Sequence, residues 1–294
     1  SGATRPSVRR ASQAVGIDYG RGMNRHALLA AAAAVLALVT GSVAAQTDPM
    51  TPDIPAKFDL PTAANDYVKR TVMVPMRDGT KLYTVIVMPK GAHDAPILLT
   101  RTPYNAKKRA TRTQSPHADA LLAQMDEPFI EDGYIRVYQD IRGKYNSEGD
   151  YVVTRPLIGP LNKTKVDHST DAYDTIDWLV KNTPETNGRV GMIGSSYDGF
   201  TTLMALIDPH PALKAAVPES AMVDGWMGDD WFHYGAFRQK NFDYFTGQMI
   251  ARGEGKPIPR GAFDDYTNFL RAGSAGDYGR AAGLDQIPYW RKVT

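Results

Sequence analysis

The chain has 294 residues, 43% of them hydrophobic and 22% charged, with 34 Lys and Arg against 32 Asp and Glu and no cysteine. That length and apolar content suit one large globular domain or two modest ones. The lack of thiols excludes a disulfide scaffold, a thiolate metal site and a cysteine nucleophile.

In chain order, the first 45 residues do not read as part of a fold. Met23 to His26 is a short basic start, Ala27 to Val39 is an uninterrupted apolar run of 13 residues, and small residues at Val43 and Ala45 precede Gln46. This is the pattern of a secretory signal peptide over residues 23–45. A bilayer-spanning helix needs roughly 20 apolar residues, so the run is too short for an anchor. Residues 1–22, upstream of that start, are expected to have no structural role. The expectation is an exported protein, periplasmic or secreted, with no stable membrane association once the leader is removed. Removal takes five arginines and one aspartate, leaving 29 basic against 31 acidic residues and moving the formal charge from +2 to −2. Nothing remains that would neutralise phosphates over a surface, which argues against nucleic acid as a partner.

After the leader, "YVKRTVMVPMRDGTKLYTVIVMP" predicts two β-strands joined at Asp78-Gly79, a strong hairpin pair. "APILLT" is a third strand leading into the loop "RTPYNAKKRATRTQSP". Ala118, Leu121, Leu122, Met125, Phe129 and Ile130 then recur at helical spacing, with a break at Pro128. "YIRVYQ" is the next strand, followed by the polar loop "DIRGKYNSEGDY". "STDAYDTIDWLVKN" predicts a helix with Asp171 as its cap and Ala172, Ile176, Leu179 and Val180 on one face. "RVGMIG" is a short buried strand, Tyr197 to Ile207 a helix stopped by Asp208-Pro209, and "ALKAAVPES" one more strand. Alternating strands and helices predict an α/β fold over residues 46–219, with a mostly parallel sheet opened by an antiparallel hairpin. From Ser220 to Thr294 the chain turns aromatic and polar without β-type runs, as the start of a helical cap would.

The chemistry points to "GRVGMIGSSYDGFTTL". A serine hydroxyl becomes a useful nucleophile only when exposed, aligned with a base and faced by oxyanion donors. Val190 to Ile193 supply a strand, Gly194 to Gly199 a turn and Phe200 onward a helix, which is the setting of a nucleophile elbow at Ser196. The pattern departs from strict G-x-S-x-G, because the second glycine stands one position late, at Gly199. Without that setting, a structural glycine turn remains the alternative.

"GSSYDGFT" resembles the elbow of the X-Pro dipeptidyl-peptidase/cocaine-esterase-like serine hydrolases, and "RTPYN" and "QDIRGKYNSEGDY" agree with it. "GDDWFHYGAFR" is similar to the α-amino acid ester hydrolases within that family, bacterial exported enzymes acting on esters and amides of α-amino acids, β-lactam antibiotics included. The resemblance implies an α/β-hydrolase fold with Ser196 as the acylated nucleophile. It implies the Tyr197 backbone N–H and the Tyr104 hydroxyl as oxyanion donors. Asp230 would join a carboxylate cluster that holds the substrate's α-ammonium group. The residues alone leave alternatives: Tyr104 anchoring its loop beside Pro103, Asp230 starting a helix, and Arg142 pairing with Glu148 to shape the polar loop.

The family's chain order is serine, acid, histidine. Only His210 and His233 follow Ser196, and neither follows a later strand carrying an acid. His168 reads as loop or helix-start structure. The resemblance therefore implies that the triad acid and base, the partners of Asp230 and a β-sandwich follow residue 294, and that the 294 residues form an N-terminal fragment nearly inactive by itself. Other expectations are an X-Pro dipeptidyl-peptidase, a general carboxylesterase or, from another class, a non-catalytic binding protein. The expected partner is a small α-amino acid ester or amide, and assembly as a homo-oligomer stays open. No cofactor and no metal are expected: the histidines are scattered, no phosphate-binding glycine loop is present, and the "GDDW" acids lack calcium-ligand spacing.

Overall fold

The computed structural model describes residues 65–224, 227–228, 232–234, 236–237, 242–252 and 264–286, all within one compact unit, Leu60–Thr294. The segment 1–22, the signal peptide expected at 23–45 and Asp230 lie outside the described residues.

Six strands form one sheet: β1 (Tyr67–Pro75), β2 (Lys81–Pro89), β3 (Ala95–Thr102), β4 (Ile135–Asp140), β5 (Thr186–Ser195) and β6 (Leu213–Glu219). Their spatial order is β1-β2-β4-β3-β5-β6. β1 and β2 pair antiparallel, β2 meets β4 antiparallel, and β4, β3, β5 and β6 run parallel. The hairpin turns where the sequence places it. Gly79 takes φ +84°, a left-handed backbone that glycine adopts without steric cost. β4 inserts between β2 and β3, so the loops after β3, β4 and β5 open on one edge.

Both faces of the sheet carry apolar side chains, as a parallel sheet requires. On one face Ile97, Leu99, Val137 and Met192 pack with Ala172, Ile176 and Leu179 of α4 (His168–Asn182). On the other, Val85, Val87 and Tyr138 meet α1 (Ala106–Arg109) and α2 (Ala118–Leu121) through Ala106 and Leu121. Each such fully buried aliphatic side chain contributes about 1.5–3 kcal/mol.

Three local expectations are corrected. The helical spacing from Ala118 to Ile130 breaks into α2, a 3₁₀ turn at Gln124–Asp126 and α3 (Glu127–Glu131). Pro128 stands in the first turn of α3 and starts that helix instead of breaking one. The cap of α4 is Asp167, not Asp171: the Asp167 carboxylate accepts the Thr170 N–H while the Thr170 hydroxyl accepts the Asp167 N–H, both at 2.8 Å. Asp171, 1% exposed, instead binds Arg142 through two hydrogen bonds.

Beyond Ser220 the described residues form a two-stranded hairpin, β7 (Phe232–His233) with β8 (Ala236–Phe237), then α6 (Phe242–Met249), α7 (Asp265–Ala272) and α8 (Ala275–Ala281). Met249 of α6, Phe269 of α7 and Leu284 pack into one apolar cluster with Tyr197, Phe200 and Met204 of α5 (Tyr197–Met204).

Candidate active site

β5 ends at Ser195 and α5 begins at Tyr197, which leaves Ser196 alone in the bend. Its backbone sits at φ 62°, ψ −121°, a region that costs a non-glycine residue about 1–3 kcal/mol and persists where the surroundings enforce it. Two backbone hydrogen bonds enforce it here: Ser196 N–H to the Glu219 carbonyl at 3.0 Å, and Phe200 N–H to the Ser196 carbonyl at 2.9 Å. The side chain is half-buried.

The glycine spacing now has a physical cause. A Cβ at Gly194 would lie 2.5 Å from Asp198, and one at Gly199 would lie 2.3 Å from the Glu219 carbonyl oxygen and 3.1 Å from that of Gly194. The bend is thus squeezed between its own helix and the end of β6, and the contact with β6 falls at position 199. Asp198, where the strict motif has glycine, is itself the neighbour that keeps position 194 free of a side chain.

Tyr197 opens α5, where helix N–H groups lack intrahelical acceptors and the helix dipole is positive. Its fully buried ring packs edge-on against Phe200, and its hydroxyl accepts the Thr154 N–H at 2.7 Å. Tyr104 lies two residues beyond β3, and Ser196 one residue beyond β5. Because β3 and β5 are adjacent and parallel, both residues leave the same edge, from strands about 4.8 Å apart. Tyr104 packs against the cluster that contains Tyr197. Buried Gln248 donates its side-chain amide to the Tyr104 oxygen at 3.0 Å and to the Tyr244 oxygen at 2.6 Å, and the two hydroxyls are 2.7 Å apart. With Gln248 donating into it, the Tyr104 oxygen keeps a hydrogen to give, either to Tyr244 or to a developing oxyanion.

The loop carrying Tyr104 is clamped from β4. Asp140, 0% exposed, accepts the Ala106 N–H at 2.6 Å and reaches Asn146 of the polar loop. Burial pushes its carboxyl up to about 6, against the hydrogen bonds from Ala106 and Asn146. Asn105 begins α1 at φ 70° and accepts the Lys108 N–H. The polar loop docks the segment beyond 220: the Lys144 ammonium, 1% exposed, donates to the carbonyls of Gly247 and Ile250 at the end of α6. Burial lowers its pKa to about 8, with Asp140 opposing.

Arg142 and Glu148 do not pair with each other. Arg142 bridges Asp78 of the hairpin turn and Asp171 of α4, and Glu148 accepts the Lys81 N–H at 3.0 Å. Their partners are far apart in sequence, which is why spacing alone suggested the shorter pairing.

No described histidine is hydrogen-bonded to the Ser196 hydroxyl. His210 precedes β6 and faces Asp177 at 3.5 Å, at the opposite end of a seven-residue strand and about 20 Å from the carboxyl edge. His233 is exposed in β7. His168 starts α4, with its ring edge-on to Phe200. Burial, reinforced by Arg101, Arg155 and Arg142, holds its pKa well below the usual range and keeps the imidazole neutral. Among the described residues no cluster of His, Asp and Glu is built to hold a metal ion. Sequence reasoning gave no role to Asp140, Lys144, Asp198 or Gln248. Only Asp140, an acid ending an apolar strand, carried a local signal.

Residues 78–294 match the X-Pro dipeptidyl-peptidase (S15 family) model. A cocaine esterase of Rhodococcus sp. (strain MB1 Bresler) is 36% identical over 160 residues, which is 54% of this chain and 25% of that protein. A solved α-amino acid ester hydrolase superposes with TM-score 0.77 at 68% identity, and an aminopeptidase from a marine sediment Thaumarchaeota archaeon with 0.76 at 52%; each match covers 84% of this chain and 41% of the other. The chain thus spans about two fifths of those structures and a quarter of the esterase. With its mixed sheet, parallel from β4 to β6, and its strand–bend–helix at Ser196, the fold is that of an α/β-hydrolase, and the chain belongs to the X-Pro dipeptidyl-peptidase (S15) family.

Proposed function

We propose that the protein is a serine hydrolase of α-amino acid esters and amides, β-lactam derivatives among them, acting through an acyl-enzyme. The observation that carries this reading is Ser196, held at φ 62° in the bend between β5 and α5. The 68% identity to a solved α-amino acid ester hydrolase supports the substrate class.

The Ser196 hydroxyl attacks the carbonyl carbon and passes its proton to an imidazole base supplied from outside the described histidines. The tetrahedral oxyanion accepts hydrogen bonds from the Tyr197 N–H and the Tyr104 hydroxyl, donors fixed before charge develops. Collapse breaks the bond to the alcohol or amine, which leaves with the proton from the base. Water, or the amine of a β-lactam nucleus, then attacks the acyl-enzyme and releases Ser196. Asp230 holds the α-ammonium by a charge-assisted hydrogen bond, which favours substrates with a free amine.

The test is a matched panel of esters with a free or acetylated α-amine, given to the complete gene product and to its Asp230→Ala variant. The free-amine preference in kcat/KM should fall at least about tenfold, the cost of losing one charge-assisted contact. An unchanged preference contradicts the ammonium role. Activity confined to X-Pro peptides contradicts the substrate class.

A further inference from the structure

Asp198 stands inside the elbow, where the strict motif has glycine. Its side chain is 3% exposed and forms an ion pair with Arg109, Nη2 to Oδ2 at 2.9 Å. Arg109 ends α1, and its guanidinium carbon lies 5.5 Å from the centre of the Tyr104 ring, within range of a cation–π contact. The Tyr104 N–H donates to the Thr102 hydroxyl oxygen at 2.9 Å, which ties the phenol's loop to the end of β3. The far end of α1 is fixed by Asp140 at the Ala106 N–H, so Arg109 rests on an anchored helix.

We propose that Asp198 and Arg109 are positioning residues for the oxyanion phenol: their ion pair ties the serine elbow to the Tyr104 ring, so that nucleophile and phenol keep one relative placement. The inference rests on the reading of Tyr104 as an oxyanion donor and adds what holds it there. Such a donor must stand 2.7–3.1 Å from the oxyanion, and a displacement of about 1 Å costs roughly 100-fold in rate. Tyr104 sits on the loop after β3 and Ser196 in the bend after β5, so nothing in the local sequence of either fixes their separation. A flat guanidinium anchored by a buried carboxylate of the elbow does so. Glycine at 198, as the strict motif has it, would leave Arg109 without its anchor.

A double-mutant cycle in the complete gene product tests this, since groups acting through one another show non-additive effects. Tyr104→Phe is expected to lower kcat by about 100-fold or more. Arg109→Met should lower kcat about tenfold with KM within twofold, as expected of a misplaced donor. In the Tyr104→Phe background the same Arg109→Met change should alter kcat less than twofold. Arg109→Lys, which keeps a cation beside Asp198, should recover most of the loss. Should Arg109→Met fail to fold, Asp198→Asn takes its place in the cycle with the same expectation. Equal losses in both backgrounds overturn the positioning role and leave the oxyanion reading standing. A Tyr104→Phe enzyme with unchanged kcat overturns the oxyanion reading, and the positioning role with it.

Discussion

At the scale of single residues, the site depends on how little room the bend leaves. Ser196 takes a conformation that its own side chain disfavours, and two glycines make the approach of neighbouring backbone possible. Gly199→Ala is expected to place a methyl group against the Glu219 carbonyl, where backbone and not a flexible side chain must yield. Overpacking of that kind costs about 1–3 kcal/mol or more. A urea titration of the variant should show it as a lowered midpoint, with α5 displaced from β6. A midpoint equal to wild type would mean that β6 does not press on the elbow as described. The late glycine was legible in the sequence only as a deviation from the motif. Its cause lies in Glu219, twenty residues on, and no local pattern contains it.

At the scale of elements, most boundaries were legible because they follow local rules. The hairpin at Asp78-Gly79 and the strand–bend–helix at Ser196 each have a signature within a few residues, whereas the proline signals misled: α5 ends at Met204, short of the expected stop at Asp208-Pro209, and Pro128 opens α3. What was not legible came from pairings across the fold. Asp167 and Asp171 both precede or enter the first turn of α4, and each is a plausible cap by residue type. Only the approach of Arg142 from the β4 loop and Arg101 from β3 assigns Asp171 to ion pairing. Asp140 shows what such long-range placement does to a charge. Its carboxyl is raised by burial from 3.8 to about 6, so the folded protein holds that proton more tightly than the unfolded chain. Its contribution to stability is complete below about pH 4 and is lost as pH rises through about 6, up to about 3 kcal/mol for two units. Asp198, raised to about 6 mainly by burial, acts with the same sign. Asp140→Asn should therefore flatten the fall in unfolding free energy between pH 4 and pH 7, read from urea titrations of both proteins. Identical pH dependence in the two would show that Asp140 is not desolvated in the folded state.

At the scale of the molecule, the sheet brings the ends of β3, β4 and β5 to one edge, where Tyr104 meets Tyr244 and Gln248 of α6 and Tyr197 packs with Met249. Lys144 and Gln248 bind that helical segment to the polar loop and to the phenol, so one arrangement of the segment serves both docking and the site. The fold class was legible because strand and helix patterns alternate. The insertion of β4 between β2 and β3 was not, since strand order is set by crossover geometry and not by any one segment's residues. The central claim is that the bend makes Ser196 a nucleophile in the complete gene product. Fluorophosphonate labelling followed by peptide mass spectrometry tests it most directly. The account predicts one adduct, on the peptide containing Ser196, absent in Ser196→Ala. A folded protein that hydrolyses an α-amino acid ester while Ser196 stays unlabelled would contradict it.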